Sequence, residues 1–218
     1  MAIIAVVGNK GGAGKTTLCV NIAAGLSKQA NIAMIDADPQ GSALQWRAIA
    51  GSNVNFPVYA PTFSLRQQAK NYAATSDYVL IDCPPSVHAS QTLAVLEFAD
   101  LALIPVQPSP IDLWATVHIE KAINEAREVN PALKALLVIN QLEARTTLSK
   151  LVREVLSEIA LPVADTAIRR RAVYRNSALE GKCVFDFGKR GAEAAAELDS
   201  LIREVIQQWQ AQTRPRAN

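Results

Sequence analysis

The chain has 218 residues, 50% of them hydrophobic, and its 22 Lys and Arg against 20 Asp and Glu leave a formal net charge of +2. That length suits one compact α/β domain with a full core, and so balanced a charge names no partner by itself. No apolar run reaches the roughly 18–20 residues that cross a bilayer, and three widely spaced cysteines (Cys19, Cys83 and Cys183) with no CxxC pair argue against a disulfide framework or a zinc site and for a reducing cytoplasm.

The opening MAIIAVVGNKGG has no basic stretch before its apolar residues and no small-residue cleavage site. The pattern predicts a buried first strand, Ala2–Val7, rather than a signal peptide. A helix over Lys15–Gln29 follows. Between them runs VVGNKGGAGKTT, a glycine-rich turn between strand and helix, which is the context of a phosphate-binding P-loop. Gly11, Gly12 and Gly14 let the backbone curl so that the N–H groups of this stretch, Ala13 and Thr17 included, face phosphate oxygens. The helix N-terminus adds partial positive charge. Lys15 is placed to reach the β- and γ-phosphates, and the Thr16 hydroxyl to ligate Mg²⁺. The common spacing GxxxxGK[ST] would put glycine at position 9. Asn9 stands there instead, and Lys10 enters the loop.

The second strand, Asn31–Asp36, ends in IDADPQG, with helices predicted over Ser42–Ala50 and Leu65–Ala74. Asp36 and Asp38 lie where a carboxylate can orient water or hold Mg²⁺ through water. A helix cap or a turn is the alternative use of such residues. The strand Tyr78–Asp82, in YVLIDCPP, is apolar until it ends in a carboxylate, a Walker B pattern that sets Asp82 beside the P-loop metal. Pro84 and Pro85 force the chain out of the strand, which makes the loop Cys83–Gln91 a candidate switch. No acid–His–nucleophile set is evident; His88 and His118 read as surface or packing residues.

Helices Ser90–Phe98, Leu113–Val129, Leu148–Ile159 and Ala192–Gln212 alternate with strands Leu101–Val106 and Ala135–Asn140 and a shorter one near Leu161–Ala164. The pattern predicts an α/β fold, a mostly parallel sheet with helices on both faces. We expect a single P-loop ATPase domain over 1–212 and a frayed tail over 213–218. Arg169, Arg170, Arg171 and Arg175 put four guanidinium groups within seven residues, and residues 145–190 carry ten basic and five acidic side chains, Arg145 and Lys150 among them. Such a stretch suits sequence-independent contact with DNA phosphates, or pairing with acids elsewhere.

KGGAGKTT, DADPQGS, LIDCPP, IPVQPSP and TAIRRRAVYRNSALEGKCVFDF together resemble the ParA/MinD class of ATPases, whose deviant P-loop reads KGGxGK[ST]T. The resemblance spans nearly the whole chain. The last two segments look closest to the small ParF-like plasmid partition ATPases, which lack an N-terminal DNA-binding domain. With a P-loop at Lys10, no helix-turn-helix is expected ahead of it. The resemblance implies ATP and Mg²⁺ as cofactors and a homodimer when ATP is bound. Lys10 would cross the interface to the partner's phosphates, Asp38 would position the attacking water, and Asp36 would support the metal shell. Asn140 would hydrogen-bond adenine, and the loop Ile104–Asp112 would lead into a dimer-interface helix.

It further implies non-specific DNA binding, a nucleoid-associated cytoplasmic location and a ParB-like or centromere-binding adaptor that stimulates hydrolysis. Plasmid or chromosome partition is the expected role. The same ATPase type positioning a protein compartment such as a carboxysome is the alternative. A MinD-like membrane ATPase would need a basic amphipathic C-terminal helix. The last helix here, with Leu198, Leu201, Ile202, Val205, Ile206 and Trp209 on one side and mixed charge on the other, fits docking on the sheet, so no membrane partner is expected. An iron–sulfur relative would need paired cysteines, and a ligase a second substrate pocket; neither pattern is present.

Overall fold

The computed structural model describes residues 1–143 and 147–210, and of residues 110–113 and 147–151 the backbone alone. Six strands, β1 (Ala2–Val6), β2 (Ile32–Asp36), β3 (Val58–Tyr59), β4 (Tyr78–Asp82), β5 (Leu101–Val106) and β6 (Lys134–Ile139), form one parallel sheet in the order β3-β2-β4-β1-β5-β6. The helices are α1 (Lys15–Leu26), α2 (Ser42–Ala50), α3 (Leu65–Ala73), α4 (Ser90–Leu96), α5 (Pro110–Val129), α6 (Thr147–Ser157), α7 (Ala172–Glu180) and α8 (Ala192–Gln210), with 3-10 segments at Gly51–Asn53 and Val184–Arg190.

The central strands are apolar at nearly every position because both faces are covered. Side chains alternate between two cores. Ile4, Val6, Leu80, Leu103 and Val138 pack with Leu18 and Ile22 of α1, Trp46 of α2, and Leu198, Leu201 and Val205 of α8. Ile3, Ala5, Ile81, Ile104 and Leu137 pack on the other face with Val95, Ile119, Ile123, Val152 and Leu156. Thus the apolar stripe of α8 faces the core, as its spacing predicts.

The predicted strand near Leu161–Ala164 is a correction. A single parallel bridge, Leu137 to Val163, forms there, with Leu137 N–H donating to Pro162 O and Ala164 N–H to Leu137 O. Pro162 has no N–H of its own to extend a ladder. Two elements go beyond the sequence-based expectation. The edge strand β3 is two residues long, and α7 buries one side chain, that of Ser177, so it lacks an apolar periodicity to read. The expected last residues of α8 and the tail 213–218 lie outside the described residues, as does Arg145.

Candidate nucleotide site

Strand β1 is where the crossovers change side: β2, β3 and β4 lie to one side of it and β5 and β6 to the other. In open parallel sheets ligands sit beyond the carboxyl ends of the strands at such a point. The glycine-rich loop leaves β1 there. It needs left-handed backbone at Gly12 (φ 78°) and Gly14 (φ 88°), which a β-carbon would oppose. Gly14 also caps α1 without a side chain, and the first turn of α1 carries no acid. The helix N-terminus is therefore left to an anion.

Lys15 opens α1 and is buried to 6% exposure, its Nζ donating to the Lys10 carbonyl at 3.1 Å. Burial lowers its pKa, while the carboxylate of Asp82 pulls it back up. In register, Asp36 stands beside Asp82, and Asp82 beside Val6 at the root of the loop. Both acids are fully buried. Neither oxygen of Asp82 has a hydrogen-bond partner among the described residues. Desolvation pushes its pKa up to about 7; the nearby Thr16 hydroxyl, short of bonding geometry, and the Lys15 charge lower it, and Asp36 raises it. A buried acid without a donor, facing a hydroxyl and an ammonium, fits a hard divalent cation reached directly or through water. Thr16 and Asp82 are the residues that would hold it.

Asp36 is used differently. Its Oδ2 accepts from Leu44 N–H at 2.9 Å and its Oδ1 from Asp38 N–H at 3.2 Å, so it brackets the start of α2. Desolvation raises its pKa against those backbone bonds. Asp38 is half-buried; its Oδ1 accepts from Gln40 N–H at 3.0 Å and its carbonyl from Gly41 N–H at 2.9 Å. The turn aims it at a cleft of ≈ 440 Å³ that it lines with Gly12, Lys15, Thr16, Trp46 and Tyr174. A second cleft of ≈ 290 Å³ continues past Gly14 and Thr17 to Asn140, Arg170, Tyr174 and Arg175. Together they give room for phosphates and a base. Asn140 Nδ2 donates to Ala13 O at 2.7 Å, which leaves its oxygen for a base.

Asn9 joins the loop to two neighbours. Its Oδ1 accepts from Val87 N–H at 3.0 Å, in the segment after β4, and its Nδ2 donates to Ala115 O of α5 at 3.4 Å. Lys10 is exposed beside it. The arginine cluster folds onto the rim of the second cleft, but three of its members meet acids. Arg169 and Arg171 pair with Glu197 at 3.7 and 2.6 Å, Arg171 also with Glu193, and Arg170 with Glu143. The segment 169–175 contains no acid, so this pairing is invisible in the local sequence. Among the described residues no acid pairs with Arg175. Sequence reasoning also passes over Gln107 and Gln141, whose amides reach Gly12 of the loop at 2.9 and 2.8 Å. Each sits just past a strand end, the one signal that could draw attention to it.

Residues 4–184 match the CobQ/CobB/MinD/ParA nucleotide binding domain. The chain is 40% identical over 206 residues, 93% of its length and 95% of the relative's, to Maintenance of carboxysome distribution protein A of Halothiobacillus neapolitanus. It is 28% identical to Sporulation initiation inhibitor protein Soj of Bacillus subtilis, over 93% of this chain and 97% of that one. A solved ATP complex of a Cyanothece McdA variant superimposes with a TM-score of 0.75 at 17% identity, covering 94% of this chain and 96% of the other, a likeness of fold. The 40% identical relative is thus named for carboxysome distribution, the alternative in the sequence reading, and not for its main expectation of plasmid partition. The P-loop, the parallel sheet and these matches agree: the chain belongs to the CobQ/CobB/MinD/ParA family of nucleotide-binding P-loop proteins.

Proposed function

We propose that this protein is a Mg²⁺-dependent ATPase that dimerises on ATP, holds non-specific DNA and spaces carboxysomes along it through an adaptor protein. The observation that carries the chemistry is Asp82, a buried carboxylate with no donor among the described residues, set at the root of a P-loop beside Thr16 and Lys15. The cargo rests on the 40% identity to Maintenance of carboxysome distribution protein A across nearly the full chain.

In this reading Lys15 and the loop amides bind the triphosphate, and Thr16 and Asp82 hold the metal. When bound there, the metal would supply charge neutralisation on the transferring phosphoryl group. Asp38, on the wall of the larger cleft, orients the attacking water. Lys10 enters the partner's site and adds a second cation as charge develops. Asp36 acts through α2, holding the turn that presents Asp38. Nucleotide state then sets affinity for DNA, which requires that the two states differ in that affinity.

Deleting the gene in its host, with the compartments labelled through a shell-protein fusion, is expected to collapse their even spacing into clusters. Intact spacing together with loss of a plasmid or chromosome would replace this reading by partition, which a 27% identity to Chromosome partitioning protein ParA of Myxococcus xanthus, over 88% of this chain and 84% of that one, keeps as the second reading. Purified protein is expected to bind DNA with ATP and not with ADP, and a dimer that holds DNA equally in both states would refute the cycle.

A further inference from the structure

We propose that Gln107 and Gln141, with Asn140, are positioning residues for the triphosphate. Gln107 and Gln141 act on a carbonyl of the phosphate loop and not on the nucleotide, Asn140 adds its amide donor to the same brace while its oxygen stays available to a base, and the idea rests on the loop being the nucleotide cradle. A cradle of this kind binds through N–H groups, so its carbonyl oxygens must turn away from the phosphates and find donors. Here two of them are held by side chains from outside the loop. Ala13 O accepts from Asn140 Nδ2 at 2.7 Å. Gly12 O accepts from two side chains at once, Gln107 Nε2 at 2.9 Å and Gln141 Nε2 at 2.8 Å.

The donors come from the two strands on one side of β1. Gln107 follows β5, and Asn140 and Gln141 follow β6, so the brace hangs from the ends of two paired strands of the sheet. Gln141 carries a further mark. At φ 56° it is the one non-glycine residue with positive φ among the described residues. A glycine or asparagine would sit there with less opposition. The chain keeps a glutamine, and its amide is the group that reaches Gly12. Backbone strain and a loop contact fall on one residue, as expected where geometry at a functional site is held in place by its surroundings.

Two donors on one oxygen make the proposal testable by coupling. Gln107→Leu or Gln141→Leu alone leaves Gly12 O with one donor and is expected to weaken ATP about two- to threefold. The double variant leaves that carbonyl without a side-chain donor, free to swing inward. Its loss is expected to reach about tenfold or more and to exceed the product of the single losses. Gln141→Glu, which turns an acceptor toward the carbonyl, is expected to bind more weakly than Gln141→Leu.

Titration with ATPγS and ADP, melting of the nucleotide-free proteins and steady-state turnover read the outcome. The expected pattern is a higher KM with kcat nearly kept and nucleotide-free melting little changed. A double variant that binds ATPγS as tightly as the parent overturns the brace, and so does an affinity loss matched by an equal loss of nucleotide-free stability. A parent protein that fails to bind ATPγS sinks the nucleotide reading itself, and the brace with it. Parent binding abolished by Lys15→Ala, with an indifferent double variant, sinks the brace alone.

Discussion

At the scale of single residues, the loop contains two lysines with separable jobs. Lys15 is buried and already directed inward by the Lys10 carbonyl, whereas the Lys10 side chain is exposed. Lys15→Ala is expected to lose nucleotide binding, seen as an absent titration with ATPγS. Lys10→Ala is expected to bind ATP and hydrolyse it at least about a hundredfold more slowly, the scale of removing one charge stabiliser from a transition state. Normal turnover by Lys10→Ala would reject its role across the interface. Asp38→Ala is expected to bind ATP, dimerise and remain on DNA.

Asp82 gives a pH signature in the metal-free and nucleotide-free protein. Its folded pKa, about 7, lies above the ordinary 3.8, so between those values the folded state holds a proton that the unfolded state has released. The stability tied to this group is therefore complete below the ordinary value, declines as pH rises, and is lost above about 7. Asp82→Asn is expected to flatten the slope, melting above the parent at pH near 8 with the gap closing toward pH 5, and to abolish Mg²⁺-dependent turnover. Parallel melting curves for the two proteins across that range would show that the carboxyl is not held protonated by burial.

At the scale of elements, the contact of α2 with α7 shapes the larger cleft, because Trp46 comes from one helix and Tyr174 from the other. Gly181 ends α7 at φ 59°, and a β-carbon there would lie 2.4 Å from the backbone nitrogen of Ala50. Trp46 Nε1 donates to the next carbonyl, that of Lys182, at 3.2 Å. Gly181→Ala meets both the left-handed penalty and a backbone clash, and is expected to destabilise by about 2–4 kcal/mol in urea unfolding, with weaker ATP binding besides. A loss near zero would mean that α7 can pull back from α2 freely.

The same helix shows where the sequence stops being readable. Strands β1, β2, β4, β5 and β6 announce themselves because both faces are buried and the apolar runs are nearly continuous. The loop, Asp38 and Asp82 are legible because each lies at a strand end within a short motif. Helix α7 is not, having one buried side chain to mark it. Gln107 and Gln141 are not, because what matters about them is a carbonyl 95 and 129 residues away, which only the sheet order brings near. Cargo is illegible for a different reason. On the proposed reading the nucleotide motifs serve ATP, so the residues that carry them say nothing of what is moved.

At the scale of the whole molecule, the proposed function requires a surface that a dimer could offer to DNA. The arginine cluster is a local excess of charge in the sequence, and the fold neutralises part of it. Arg171, with its side chain at 23% exposure and two glutamates on it, is committed to holding α8. Arg170 and its partner Glu143 are both more than half exposed, and such a pair contributes about 0–1 kcal/mol, little enough for a phosphate to displace the acid. Arg175 is exposed and pairs with no acid among the described residues. On the proposed reading, DNA contacts would fall to Arg170 and Arg175, whereas Arg171 serves stability. Arg171→Ala is expected to lower the melting temperature. Arg170→Ala with Arg175→Ala is expected to leave melting intact and to weaken DNA far more than ATP. The slope of log affinity against log salt should then fall by about 0.9 for each phosphate that the dimer no longer touches, summed over both subunits. If the double variant keeps the parent's slope, the DNA surface lies elsewhere on the dimer, and the arginines serve the rim of the base pocket alone.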